Sequence, residues 1–201
     1  IVVVVTQCFN GDRNKLRSPI YNTLVPSCST SPLPADDSAV KKLRTRLSQI
    51  SLPMKEGKKS SSHNQKLDDK RFSLSTNRLG FKTMSFVFDG DSLALLLTTN
   101  RDDAIHTLHF GAERWCTNVV GSRPPYSIAA VGRQNGLSGK YYSAGCFAWN
   151  GNTLEMKNYY VNWGSSLDWK ITMPNKKGDS MMVTIKENYQ EKPITLTATP
   201  L

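Results

Sequence analysis

The clearest pattern in the chain is the alternation of apolar and polar residues that begins at Phe81. Met84, Phe86 and Phe88 alternate with Ser85 and other residues, so an extended segment here would present one apolar face. Asp and Gly follow directly at 89–90, and glycine supplies the positive φ that a tight hairpin turn requires. The pattern predicts a half-buried strand that ends in a hairpin.

Two further apolar runs follow within the same stretch. Leu93–Thr98 predicts a second strand, and the polar cluster Asn100–Asp103 predicts the turn after it. Ile105–Phe110 then completes a three-stranded meander. Because each connection is short, neighbouring strands are expected to pair in antiparallel fashion.

The same pattern surrounds the meander and continues to the C-terminal end. Asn150-Gly151-Asn152 separates two of the later runs and is a strong hairpin signal. The remaining strands are predicted at Arg71–Ser75, Arg114–Val120, Tyr126–Val131, Tyr141–Trp149, Thr153–Trp163, Leu167–Met173, Met181–Ile185 and Ile194–Ala198. Nine or ten strands joined by hairpins predict a mainly β protein, either an antiparallel up-and-down (lipocalin-like) β-barrel or a strongly curled sheet. A barrel leaves no exposed sheet edge.

The N-terminal residues follow a different pattern. Ile1–Gln7 is a continuous β-branched run, typical of a strand covered on both faces. Apolar residues then recur at helical spacing from Leu16 to Val25, and the helix should end before Pro26. One strand and one helix do not make a domain, so we expect residues 1–28 to be the terminal strand and helix of an upstream domain.

Residues 29–69 predict a linker with one short amphipathic helix. Asp36-Asp37 and the serine after them favour a helix start. Pro53 should end the helix, and Lys55–Lys66 is polar and predicted to be flexible. The apolar stripe of the helix consists of Val40, Leu43, Leu47 and Ile50. The β-barrel domain is then predicted to span residues 70–201.

The formal charge of +10 is concentrated before the barrel. Up to Arg71 there are 13 basic and 6 acidic residues, a surplus of seven, whereas from Phe72 the balance is 13 to 10, a surplus of three. A nucleic-acid platform would collect basic and aromatic residues on one face of the sheet, so no nucleic-acid partner is predicted. The apolar run Ile1–Val5 is too short to span a bilayer.

No cofactor or metal site is predicted. Cys8, Cys28, Cys116 and Cys146 form no C-x-x-C pair and have no histidine at ligand spacing. They are either buried free thiols or, in an exported protein, two disulfides. His106 and His109 are three residues apart on a strand, so they point to opposite faces and share no metal.

Aromatic and acidic residues offer other candidates. Asp36-Asp37 and Asp102-Asp103 are paired carboxylates, but positions in a helix cap and a turn explain both pairs. Four tryptophans could line a ligand cavity or fill the core of a small barrel. They are Trp115, Trp149, Trp163 and Trp169.

Residues 32–121 carry a family resemblance. The order PLP, a short helix with LRTRL, a proline, and then KRFSLSTNRLGFKTMSFVFDGDSLALLLTTNRDDAIHTLHFGAERW resembles the C-terminal region of serine β-lactamase-like and penicillin-binding-protein-like hydrolases. The resemblance implies a catalytic domain, a linker and an accessory β-barrel. IVVVVTQ and the following helix then resemble the last strand and helix of that catalytic domain. It also implies export.

The chemistry of that family needs three short motifs, and two-residue look-alikes of all three occur. Ser38 and Lys41 have the Ser-x-x-Lys spacing, Tyr160 and Asn162 the Tyr-x-Asn spacing, and His109 with Gly111 the His-x-Gly spacing. Their order along the chain differs from that of the family. Ser38 is explained by helix capping and the other two by strand positions, so no catalytic residue is predicted in this chain.

Two functions remain open at this point. The first is a non-catalytic accessory domain that supports or shapes the catalytic domain of a serine hydrolase, its partner within the same polypeptide. The strand Ile1–Gln7 could also pair with a second copy. The alternative is a stand-alone lipocalin-like carrier of a small ligand, which needs an open apolar cavity. An interior packed solid around Phe86, Leu93, Leu95 and Trp169 would leave no such cavity.

Overall fold

The chain folds into two compact units, residues 1–53 and 54–201. The computed structural model describes residues 13–32, 34–100, 103–119, 142–161, 165–174, 180–188 and 190–201. In the N-terminal unit, α1 (Arg13–Pro19) continues as a π-helical turn (Ile20–Leu24), and α2 spans Asp37–Ser48. The side chain of Asp36 accepts a 2.8 Å hydrogen bond from the Ala39 amide, as expected for the predicted helix start. The predicted strand at 1–7, and with it self-association through that strand, lies outside the described residues.

The first regular element of the second unit is a short helix, α3 (Asn64–Leu67), and ten strands follow it in the described residues. The strands are β1 (Arg71–Leu74), β2 (Phe81–Asp89), β3 (Ser92–Thr99), β4 (His106–Ala112), β5 (Cys116–Val119), β6 (Tyr142–Asn150), β7 (Thr153–Tyr160), β8 (Ser165–Thr172), β9 (Met181–Glu187) and β10 (Ile194–Pro200). The predicted strand at 126–131 lies outside the described residues.

The sheet closes into a barrel, which confirms the predicted fold class. Its order is β4-β3-β2-β1-β10-β9-β8-β7-β6-β5, with an additional pairing between β4 and β6. The last strand, β10, lies between β1 and β9, and Phe72 pairs with Pro200. Closure comes from a short parallel contact in which Gly111 pairs with Cys146. Nine strands therefore form the ring, and β5 is an extra strand on the edge of β6.

Two hairpins follow the turns that the sequence predicts. Gly90, between β2 and β3, has φ of +55°, and Gly151, between β6 and β7, has φ of +60°. Both values lie in the left-handed region that glycine enters without a steric penalty. The pairs Asp89↔Ser92 and Asn150↔Thr153 close these turns and set the register of both hairpins.

Alternation along each strand fills the barrel with apolar side chains. On β7 the even-numbered residues from Leu154 to Tyr160 are buried and the odd-numbered ones are partly exposed. The largest fully buried side chains of the core are Trp149, Trp169, Tyr160, Phe86, Phe110, Phe147, Leu67, Leu79, Met84, Leu93, Leu95 and Leu97. Trp149 and Trp169 therefore fill the core, which is one of the two roles predicted for the tryptophans.

The segment of residues 54–63, which we term the strap, packs on the barrel. Lys58 and Trp149 exchange two backbone hydrogen bonds of 2.9 and 2.8 Å. The ammonium of Lys55 lies 2.8 Å from a carboxylate oxygen of Asp168 on the outer face of β8. The ring of His63 packs at a tilt against Trp149, with 5.8 Å between ring centroids. The prediction that residues 55–66 are flexible is therefore wrong, because these contacts hold a segment whose composition alone is typical of a linker.

Candidate functional site

The two ends of the barrel interior differ in chemistry. One end, which we term the helix end, is covered by α3, whose Leu67 is fully buried in the core. The opposite end collects the polar side chains and is termed the polar end. All six buried polar side chains of the described residues lie near that end of the barrel. Five face the interior and one, Ser166, faces outward: Thr99, Ser143, Asn158, Ser165, Ser166 and Glu187.

Strand register arranges five of the buried residues at the polar end in two rows. Ser143, Tyr160 and Ser165 are direct neighbours across β6, β7 and β8. One layer deeper, Asn158 on β7 and Glu187 on β9 both pair through Leu167 of β8. Because neighbouring strands are about 4.8 Å apart, successive members of the first row adjoin one another, whereas the backbones of Asn158 and Glu187 are about 10 Å apart.

The deeper row is anchored to the apolar core. The indole Nε1 of Trp169 donates a 2.9 Å hydrogen bond to Oδ1 of Asn158. Phe81 stacks on Trp169 at a centroid distance of 5.8 Å and an angle of 19°. Burial raises the pKa of Tyr160 far above its usual range, although a hydrogen bond with Asn158 opposes the shift. The Tyr160 hydroxyl therefore stays protonated.

Glu187 is the charged member of the polar end. Its side chain is 2% exposed, and Oε1 lies 2.8 Å from the guanidinium of Arg78, which reaches it from the connection between β1 and β2. Burial raises the pKa of Glu187, and the charge and hydrogen bond of Arg78 oppose that shift. The carboxylate is thus buried at a cost that one ion pair only partly offsets.

Some buried atoms at the polar end lack a hydrogen-bond partner within the described residues. Oγ of Ser143 and Oε2 of Glu187 are among them. A buried polar atom without a partner costs about 1–3 kcal/mol relative to one that is hydrogen-bonded. The two atoms at this end of the barrel leave both an acceptor and a hydroxyl group for a bound molecule.

The interior between the polar end and the helix end is filled. Phe86, Leu93, Leu95 and Trp169 are 0–1% exposed, so no water-sized void lies against any of them. A long open apolar channel around these residues is therefore excluded. Any ligand in the barrel must bind at the polar end or displace core side chains.

A surface cleft of about 460 Å³ lies between the strap and the β6–β7 hairpin. Its lining residues are Gly57, Lys58, Ser60, Ser61, Ser62, Trp149, Asn150 and Gly151. The side chain of Asn150 already donates to the carbonyl of Glu56. Solvent reaches this cleft, so water can satisfy its serine hydroxyls, in contrast to the unpaired atoms at the polar end.

The residues of the three hydrolase look-alikes are distributed as follows. Ser38 and Lys41 are exposed on α2 in the N-terminal unit. His109 is half-buried on β4 and pairs with Ala94, on the face opposite to that of the buried Phe110. Tyr160 points into the interior, and Asn162 lies outside the described residues. His109 and Tyr160 therefore face opposite sides of the barrel wall.

The other candidates have structural positions. Cys28 is exposed, Cys116 half-buried and Cys146 buried, and all three are free thiols. Burial raises the pKa of the Cys146 thiol, which the backbone of Lys55 contacts. Trp115 packs on Tyr159 at 5.4 Å between ring centroids. Cys8, Asp102 and Trp163 lie outside the described residues.

Metal ligands and membrane helices were two further possibilities. Within the described ranges, no three His, Cys, Asp or Glu side chains are grouped so that they could hold a metal ion. No helix in the same ranges has the length and apolar character needed to cross a bilayer. His106 begins β4 two residues before the buried Leu108, and His109 lies on the other face, as predicted.

The chain was compared with protein-family models, curated proteins and solved structures. No protein-family model and no curated protein matches it. Solved structures similar to it include a fatty-acid-binding protein from brain tissue of Drosophila melanogaster, at 8% identity and a TM-score of 0.42, covering 66% of this chain and 98% of that one. The fatty-acid-binding protein of Manduca sexta has 15% identity, a TM-score of 0.42 and the same coverage. A heat soluble (SAHS) protein from Ramazzottius varieornatus has 10% identity and a TM-score of 0.41, covering 74% and 98%. The resemblance to serine hydrolases stays a prediction.

Proposed function

We propose that the barrel is a small-ligand-binding module whose site is the polar end of its interior. The observation that carries the proposal is that five of the six buried polar side chains of the described residues face the interior at that end. Unpaired buried polar atoms destabilise a fold, so they are rare where a side chain only fills the core. Their presence is expected at functional sites.

The two unpaired atoms indicate the chemistry of the ligand. Oε2 of Glu187 is an acceptor that requires a donor, and the Ser143 hydroxyl can donate or accept. A neutral hydroxyl group on a small lipophilic molecule suits either atom, whereas a carboxylate would meet the negative charge of Glu187. The apolar body of the ligand must be small, or must displace flexible core side chains such as Met84 and Met156.

A fluorescence titration tests this proposal, because Trp169 contacts the site and all four tryptophans lie in the barrel unit. We expect 1-octanol to change the emission of the full chain saturably, and octanoate to bind more weakly at neutral pH. Ser143→Ala or Glu187→Gln, whichever removes the partner of the octanol hydroxyl, should weaken octanol binding about fivefold to tenfold, the cost of one hydrogen bond.

The matched control is Ser85→Ala, which removes a hydroxyl from the outer face of β2 and should leave binding unchanged. No saturable change with octanol would contradict a site at the polar end. So would an affinity that is the same in Ser143→Ala, Glu187→Gln and Ser85→Ala. Thermal unfolding of each variant shows whether the barrel has remained folded.

A second proposal follows the resemblance, in which the barrel is a non-catalytic packing body beside a serine hydrolase domain. The filled interior around Phe86, Leu93, Leu95 and Trp169 supports it, because a packing body needs no cavity. The purified chain should then give no turnover of a fluorogenic ester or a cephalosporin and no octanol response. Turnover that is lost in Ser38→Ala would contradict this proposal.

A further inference from the structure

The helix α2 carries an apolar stripe that is exposed to solvent. Val40, Leu43 and Leu47 are 44%, 58% and 56% exposed, and Ile50, just beyond the helix, is 66% exposed. No described residue of α2 is buried. Four large aliphatic side chains that lie next to one another and reach solvent are typical of a docking surface.

The charges on α2 are distributed around this stripe. The helix carries Lys41, Lys42, Arg44 and Arg46, and after Asp37 no acidic residue follows before Glu56. At about 100° per residue, Arg44 lies roughly 40° beyond the edge of the stripe at Val40, and Arg46 roughly 60° beyond the edge at Leu43. Each edge of the stripe is therefore flanked by an arginine, whose long side chain can extend outward while the stripe is buried.

We propose that α2 is an interfacial helix that binds an anionic bilayer surface. Its stripe enters the boundary between headgroups and acyl chains, and its basic residues contact lipid phosphates and carboxylates. At 12 residues the helix is too short to span a bilayer and lies parallel to the surface.

The distribution of charge favours this occupant over a protein groove. Basic residues flank the stripe on both sides, with Lys41 and Lys42 behind them, and a flat anionic surface attracts all four at once. A groove would have to present acidic groups along both of its rims. A second copy of α2 would bring the four basic residues of one helix against the four of the other.

Flotation of the full chain with lipid vesicles tests the proposal. We expect binding to vesicles in which about a third of the lipid is phosphatidylserine, and no binding to phosphatidylcholine alone. Each basic residue near the surface strengthens binding about fivefold, so the double variant Arg44→Gln/Arg46→Gln should bind about 25-fold more weakly. Leu43→Asp should abolish binding, and added salt should reduce it.

The matched controls lie in the barrel unit. Ile105→Asp changes an apolar residue with 64% exposure, and Lys192→Gln removes an exposed charge, and neither should alter vesicle binding. Equal binding to both kinds of vesicle, no binding to either, or undiminished binding of Leu43→Asp would overturn the proposal. So would self-association that Leu43→Asp abolishes without any vesicle binding, because the stripe would then serve a second copy.

Discussion

Replacing Gly145 by alanine tests how the barrel closes. Gly145 lies on β6 where β4 approaches it, and a Cβ built there would lie 2.8 Å from Cδ1 of Phe110 and closer still to the backbone carbonyl of His109. The carbonyl cannot rotate away, because β4 is held by its pairing with β3. The alanine therefore requires a shift of one strand relative to the other.

Forced overpacking of this kind costs about 3 kcal/mol. For a domain of this size we expect Gly145→Ala to lower Tm by about 6–12 °C. Thermal unfolding followed by tryptophan fluorescence measures the effect on the barrel, since all four tryptophans lie between residues 115 and 169.

Gly151→Asn is the matched control. A Cβ at Gly151 meets no atom within 4 Å, and asparagine adopts the left-handed conformation at small cost. This variant should lose at most about 1 kcal/mol. If Gly145→Ala melts within about 2 °C of the unsubstituted chain, the His109 carbonyl does not lie over Gly145 and the closure described here is wrong.

Two further predictions concern the polar end. Trp169→Phe should cost about 1–3 kcal/mol more in urea denaturation than Trp149→Phe, because only Trp169 leaves a buried acceptor, Asn158 Oδ1, without its donor; equal losses would refute that hydrogen bond. Burial raises the pKa of Glu187 above 4.5 despite Arg78, so the folded state binds this proton more tightly than the unfolded state does. The resulting contribution to the free energy of unfolding is complete below pH 4.5 and is lost as the pH rises through the raised pKa. The stability of Glu187→Gln relative to the unsubstituted chain should therefore be higher at neutral pH than below pH 4.5, and the absence of any pH dependence in that difference would count against the shift.

Local signals predicted much of the fold. The period-two pattern of β2 and the glycine turns at Gly90 and Gly151 depend on residues that are neighbours in sequence, so most strand ends could be placed within one or two residues. The exception is β7, which ends at Tyr160, three residues before the predicted Trp163. The predicted strand at 114–120 is shorter in the structure, Cys116–Val119. Its first residues instead turn the chain from β4 into β5, with Glu113 at φ of +55°.

Contacts between distant segments could not be predicted in the same way. The strap has the composition of a flexible linker. Its Lys58 pairs with Trp149 of β6, which is far away in sequence, so no local pattern could predict the contact. The polar end likewise brings together strand termini that are far apart in sequence. One signal was available: Asn158 and Glu187 occupy positions that alternation assigns to the interior, and polar residues at such positions indicate a site.

The place of β10 in the ring affects how the chain can fold during synthesis. β10 pairs with β1 on one side and β9 on the other, yet it leaves the ribosome after all the other described strands of the ring. Until Ile194–Pro200 has emerged, β1 and β9 both present unpaired edges that can recruit other strands. The sheet of a nascent chain therefore stays unclosed until β10 has emerged. Chains that terminate before Ile194 should aggregate rather than form a smaller barrel.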